Sequence, residues 1–280
     1  MNAITKSVGW FVLTATLVLS AAPGWTFDEA KYPDWKGQWI RLPPTGGQWD
    51  PNKPPGRGQQ APFTPEYQAI YEAGVRDNAV GGHGNNATPT CTPPGMPRVM
   101  IVYEPMEILI LPEITYIHVE FMSQFRRIYT NGRAWPVQIA PSFAGTSIGQ
   151  WRDEDGDGRY DTLVVETRGL KGPRTFDGNM PLHKDNQTVV QERLHLDQAN
   201  PDILRNEVTT IDHALTRPWT VTRSYSRERK PVWYEYPCAE NNEHVFIGKE
   251  NYLRSADGHL MPARKGQAPP DLRYFNRTRN

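Results

Sequence analysis

The sequence predicts an all-β fold, a barrel of about ten antiparallel strands with one short helix and long Pro/Gly-rich connections. Three observations carry that expectation. From Arg98 onward, short strand-like runs follow one another, the first few joined by turns of two or three residues, which is the spacing of an antiparallel meander. The 26 prolines and 23 glycines cut the chain into short pieces and leave little room for long helices. No internal repeat is visible, which removes propeller and solenoid architectures. Charges balance at 31 basic and 31 acidic residues, so the basic excess that favours a nucleic-acid partner is missing.

Residues 1–24 read as a secretory signal. Lys6 supplies the positive start, Val8–Leu19 is a short apolar stretch, and Ser20-Ala21-Ala22 precede a cleavage point between Ala21 and Trp25. The apolar stretch is short for a spanning helix, and no later segment is long and apolar enough to cross a membrane. The expected location is periplasmic or secreted, with residues 25–280 forming a single barrel domain. Cys91 and Cys238 both fall in that part, and an oxidising compartment makes a disulfide between them the default. Two buried free thiols are the alternative.

Gly37-Gln38-Trp39 opens the first expected strand. This G-x-W resembles the start of lipocalins and other calycins, where the tryptophan plugs one end of the barrel, and the resemblance implies a calycin-like barrel. Pro43–Phe63, rich in Gly, Pro and Gln, reads as a surface loop. Thr64-Pro65-Glu66 is a helix start with Thr as N-cap, Pro in the first turn and an acid at the positive end of the dipole. The helix is expected to stop at Gly74. Strands are expected over Arg98–Tyr103, Met106–Leu111, Ile114–Phe121, Gln124–Tyr129, Ser147–Trp151, Thr162–Thr167, Gln187–Asp197, Ile203–Asp212, Trp219–Arg227 and Pro231–Tyr236, with a short helix near Val245–Arg254.

The loop between the two strands that flank it reads Asp153-Glu154-Asp155-Gly156-Asp157-Gly158-Arg159-Tyr160-Asp161. Asp153, Asp155 and Asp157 can turn inward around one hard cation, with the carbonyl of Arg159 and the carboxylate of Asp161 closing the shell. Oxygen-only ligands favour Ca²⁺. The pattern resembles the calcium loops of EF-hands, dockerins and integrin-type blades. It departs from the EF-hand at its twelfth position, which is Val164 instead of a bidentate glutamate, and in having strands as flanks. The expected role is structural, and a solvated Asp/Gly turn is the plainer alternative.

Strand alternation separates two faces. In Ile114–Phe121, Thr115, Ile117, Val119 and Phe121 share one, and Tyr116, His118 and Glu120 share the other. The second set suits a pocket inside the barrel: a phenol that donates a hydrogen bond, an imidazole that carries a proton near pH 7 and a carboxylate that orients it. Arg126 is a candidate to hold developing negative charge, and His183, in a loop, is a second proton carrier. The plainer reading is a polar ladder and surface ion pairs. Gly145-Thr146-Ser147-Ile148-Gly149 matches G-x-S-x-G, but a strand follows where the nucleophile elbow needs a helix, so Ser147 is not a nucleophile.

Arg126-Arg127-Ile128-Tyr129-x-x-Gly132-Arg133, Gly145-x-Ser147-Ile148-Gly149-x-Trp151, Asp161–Thr167, Glu192-Arg193, Pro218-Trp219 and Cys238-x-Glu240-Asn241 together are similar to a family of proteins secreted by Gram-negative bacteria. In that pattern Gly-x-Trp runs almost directly into Asp-Thr-Leu-Val-Val, so the acidic loop is inserted here. The resemblance implies export and carries no activity with it. The expected function is an exported enzyme that moves a proton, isomerase or lyase in type, on an apolar small molecule held in a barrel pocket. The alternatives are a non-catalytic periplasmic binding protein and a calcium-stabilised surface module.

Overall fold

The computed structural model describes residues 27–43, 59–238, 243–248, 250–255 and 257–270. The signal-like segment, most of the Pro43–Phe63 loop and Glu240-Asn241 lie outside the described residues. Nine strands close into a calycin-like barrel in chain order: β1 (Gln38–Arg41), β2 (Met106–Ile110), β3 (Ile114–Val119), β4 (Gln124–Tyr129), β5 (Thr146–Arg152), β6 (Thr162–Arg168), β7 (Val189–Leu196), β8 (Ile203–Ile211) and β9 (Trp219–Glu228). β9 pairs back onto β1, with Trp39 opposite Arg227 and Arg41 opposite Tyr225. Every neighbouring pair is antiparallel except β4 and β5, which are parallel and meet only at Ile128–Ser147 and Tyr129–Ile148. The meander expectation missed this. Residues 130–145 loop out and bring the chain back only to the last residues of β4, so the parallel contact is limited to those two pairs.

One set of alternating side chains fills the interior. Met106, Ile108, Ile117, Val119, Ile128, Leu163, Val165, Val190, Leu194, Leu204, Val208 and Val221 are all buried. A barrel of about this strand number is narrow enough for side chains to pack its inside. Trp39 is completely buried and closes the base, its indole N–H donating to the Trp35 carbonyl at 3.0 Å. The Arg227 guanidinium lies over the Trp39 ring at 4.5 Å. Tyr32, Trp35, Trp151 and Tyr160 complete this aromatic plug, with Trp35–Trp151 at 4.9 Å and Tyr32–Tyr160 at 5.1 Å between ring centres.

The opposite end, the mouth, is covered from outside the barrel. Arg98–Tyr103 was expected to be a strand, but Arg98–Ile101 is a 3-10 turn with Val99, Met100 and Ile101 all buried. Three consecutive apolar residues cannot share one face of a strand. As a turn they lie across the mouth, where the Tyr225 hydroxyl donates to the Met100 carbonyl and Arg41 Nη1 donates to the Ile101 carbonyl at 2.5 Å. The helix α1 (Pro65–Ala79) starts at its expected cap, Thr64 Oγ1 accepting the Tyr67 N–H at 3.4 Å. It runs past Gly74, which is buried. A Cβ there would stand 2.4 Å from Asn179 Oδ1 and 2.6 Å from Asn85 Nδ2, so this glycine admits neighbouring loops to the helix and does not end it.

Among the described residues Pro231–Tyr236 pairs with no strand. It runs along the outer wall instead, its Val232 carbonyl accepting from Gln38 at 3.1 Å. Cys238, just beyond, is disulfide-bonded to Cys91, with Cα atoms 5.6 Å apart. The expected helix near Val245–Arg254 is a hairpin, β10 (His244–Ile247) against β11 (Glu250–Arg254), extended by β12 (Leu260–Pro262). This small sheet abuts the end of α1, where the Lys265 N–H donates to the Val80 carbonyl at 2.6 Å. Among the described residues no helix is long and apolar enough to cross a membrane.

Candidate functional site

The face expected to line the pocket lies on the outside. Tyr116 and His118 alternate with the buried Thr115, Ile117 and Val119, so they point away from the interior. The physical reason is packing: the interior of so narrow a barrel takes the apolar set, and the ionisable set is left on the wall. His118 is not in open solvent. Its ring stacks on Phe125 at 4.3 Å and lies 5.3 Å from Trp233. Glu120 lies beyond the end of β3 and is buried beneath Pro231–Tyr236, where it accepts the Tyr234 N–H at 2.5 Å. That bond makes it a fastener for the segment.

Arg126 faces inward and is therefore separated by the barrel wall from Tyr116 and His118. Its guanidinium makes two bonds to Glu192, at 3.1 and 2.5 Å, and both side chains are almost wholly buried. Asn206 Nδ2 adds a third bond to this carboxylate at 2.9 Å. Arg126 is thus already neutralised. Ser147 also faces inward and shares a 2.8 Å hydroxyl bond with Thr167.

Above this pair, inward positions of β1 and β9 bring Arg41 and Arg223 to the mouth, and the 3-10 turn adds Arg98. The three border one pocket of about 410 Å³ with Ile101, Val102, Tyr103 and Phe121 as apolar wall and Glu104 and Asp177 as its acids. Three guanidinium groups thus face two carboxylates. Burial lowers the Arg223 guanidinium to about 10, and the neighbouring Arg41 adds to the effect. Burial also lowers Arg98, against the pull of Asp177 and Glu104. Arg41 stacks over Tyr103 at 4.3 Å, and its Nε and Nη2 are buried without a hydrogen-bond partner. Arg98 is held by Asn86 Oδ1 at 2.7 Å, so Arg41 is the member whose buried nitrogens an acceptor could satisfy. No local signature announced it, because its members come from positions 41, 98 and 223.

A larger groove of about 700 Å³ opens beside the short β4–β5 pairing, between Tyr32, Trp151, Tyr160 and Arg133. Its polar lining, with Arg133, Gln150, Glu166 and Gln191, holds one cation, whereas three guanidinium groups converge at the mouth pocket.

His183 lies in the loop before β7 and meets two residues that the sequence did not connect with it. Its Nδ1 is 2.9 Å from Asp185 Oδ1, and His213 Nδ1 is 2.5 Å from Asp185 Oδ2. Burial alone would raise the Asp185 carboxyl, yet bonds from His213, the Gln187 N–H and His183 pull it down to about 2.

At the base, Asp153, Asp155 and Asp161 bring carboxylate oxygens within 4.8 Å of one another. Asp157 is not one of the three, its Oδ1 accepting the Arg159 N–H at 2.8 Å. Burial would raise the Asp161 carboxyl, but bonds from Thr162 and the N–H groups of Glu154 and Asp155 hold it below its usual range. Gly156 and Gly158 take the positive φ values, +79° and +89°, that fold the loop back on itself. Its Tyr160 N–H donates to the Lys31 carbonyl at 2.7 Å, which ties the loop to the aromatic plug. A scan against protein-family models finds no matching family, and a search of curated proteins finds no similar sequence.

Proposed function

We propose that this chain is an exported binding protein whose barrel mouth takes a small molecule with an apolar or aromatic body and an anionic group. The observation that carries it is the convergence of Arg41, Arg98 and Arg223 on one pocket with an apolar wall. The anionic group would seat between the guanidinium groups by charge-assisted bonds, and the body would lie against Ile101, Val102 and Phe121. Export rests on the signal-like residues 1–24, and the Cys91–Cys238 bond fits an oxidising compartment. Proton transfer is the less supported reading, because among the described residues no histidine borders this pocket and Arg126 is engaged by Glu192.

The test compares aryl and branched-chain carboxylates with the matching alcohols by calorimetry. Carboxylates should bind and their alcohols should bind at least tenfold more weakly. Arg41→Gln should weaken the carboxylate by about 10- to 100-fold, the worth of a charge-assisted bond of about 1.5–3 kcal/mol. Equal binding of acids and alcohols, or no binding of either, rejects the reading.

We also propose that the acidic loop takes Ca²⁺ through Asp153, Asp155 and Asp161, supported by their convergence, and that the ion stiffens the base of the barrel. Calcium at a hundredfold excess over its Kd should add about 2.7 kcal/mol. That corresponds to a rise in Tm of roughly 5–10 °C for a domain of this size. EDTA should reverse the rise and Asp155→Asn should abolish it. Superimposable melts with calcium and with EDTA would dismiss the ion.

A further inference from the structure

We propose that His183, Asp185 and His213 form a binding site for a divalent transition-metal ion, with Zn²⁺ as the best match. The two histidines are 30 positions apart in sequence (213 minus 183) and are brought together by the pairing of β7 with β8, whose ends at Val189 and Ile211 lie opposite each other. Asp185 stands between them with one oxygen turned to each imidazole, Oδ1 to His183 and Oδ2 to His213. All three donor atoms lie within 4.8 Å of one another. Bonds of about 2.0–2.1 Å in a tetrahedral shell separate neighbouring donors by about 3.3 Å, within the 4.8 Å that bounds the donor separations here.

His183 Nδ1 stands 2.9 Å from Asp185 Oδ1 and 3.2 Å from the Asp185 backbone nitrogen, so the imidazole pairs with Asp185 in the metal-free protein. A bound ion would take the place of the proton in that contact, and of the one between His213 Nδ1 and Asp185 Oδ2. Two imidazole nitrogens and one carboxylate oxygen make a borderline donor set, suited to zinc and its neighbours and poorly to calcium. It differs in kind from the all-oxygen loop at the base.

The donors are also held from behind. The His183 N–H donates to Asp212 Oδ1 at 2.9 Å, and the Gln187 N–H donates to Asp185 Oδ1 at 3.1 Å. Arg174 Nη2 reaches the His183 carbonyl at 3.4 Å, and the Tyr67 ring lies 5.1 Å from the imidazole. Such outer contacts fix ligand orientation. His213, 68 % exposed in its side chain, occupies the solvent side, so the ion has an entry path and room for a water as fourth ligand. The inference is independent of the mouth-pocket reading, since none of the three residues borders that pocket.

The experiment uses the exported chain after dialysis against EDTA, titrated with zinc alone by calorimetry, with cobalt absorption as a second readout of coordination. One equivalent should bind in the micromolar range or tighter. His213→Ala, a change at an exposed position, should weaken it at least tenfold while the thermal melt of the metal-free protein stays unchanged. Asp155→Asn in the acidic loop should leave zinc affinity alone, and excess calcium should not compete. Absence of saturable zinc binding, or the same affinity in His213→Ala, overturns the proposal and leaves a hydrogen-bonded His-Asp-His cluster.

Discussion

Replacing Glu192 by alanine is expected to destabilise the protein by about 3–5 kcal/mol, the usual result of stranding one partner of a buried ion pair. Arg126 and Glu192 have side-chain exposures of 1 % and 0 %, so water cannot take the place of the lost carboxylate. Asn206 would lose its 2.9 Å partner at the same time. At about 2–4 °C per kcal/mol for a domain of this size, Tm should fall by roughly 6–20 °C. The double variant Arg126→Met/Glu192→Leu should recover most of that loss, because it removes both charges and fills the space with apolar atoms. Urea melts of the single and double variants measure the difference. A Glu192→Ala protein as stable as the parent would mean that the pair is not buried in solution.

Reducing the Cys91–Cys238 bond is expected to have an effect of similar size. The bond closes a loop with a sequence separation of 147, and chain entropy alone assigns such a closure about 5 kcal/mol. The consequence is local as well. The disulfide holds the end of the outer-wall segment that carries Trp233 onto His118 and the Tyr234 N–H onto Glu120. Reduced protein, and the Cys91→Ser/Cys238→Ser variant, should unfold at clearly lower urea concentration than the oxidised form. Tryptophan emission should also shift as Trp233 leaves the wall. Identical midpoints for oxidised and reduced protein would count against both points.

Much of the barrel was legible along the chain because alternation is a local property. Strands at Met106, Ile114, Gln124, Thr162, Ile203 and Trp219 begin where their patterns begin. Thr64 was readable as a cap, since capping involves neighbours three residues apart. Arg98–Ile101 misled because a run of apolar residues fits a buried turn as well as a strand. Pro231–Tyr236 misled because its aromatic rings answer to His118 on the outer wall and to Phe121 at the edge of the mouth pocket, not to a pairing strand.

The candidate sites divide along the same line. The acidic loop could be read directly, since its carboxylates come from one stretch of nine residues, 153 to 161. The arginine pocket could not, and neither could the meeting of His183 with His213. What the sequence determined by itself was two-faced strands, a tryptophan-plugged first strand, a capped helix and two cysteines with no partner but each other. Which face turned inward was settled by tertiary structure alone. Alternation separates two sets of side chains but assigns neither to the interior. The narrow closed barrel decided by admitting the set that packs, and that choice moved His118 to the wall and Arg126, Glu192 and Arg223 to the inside.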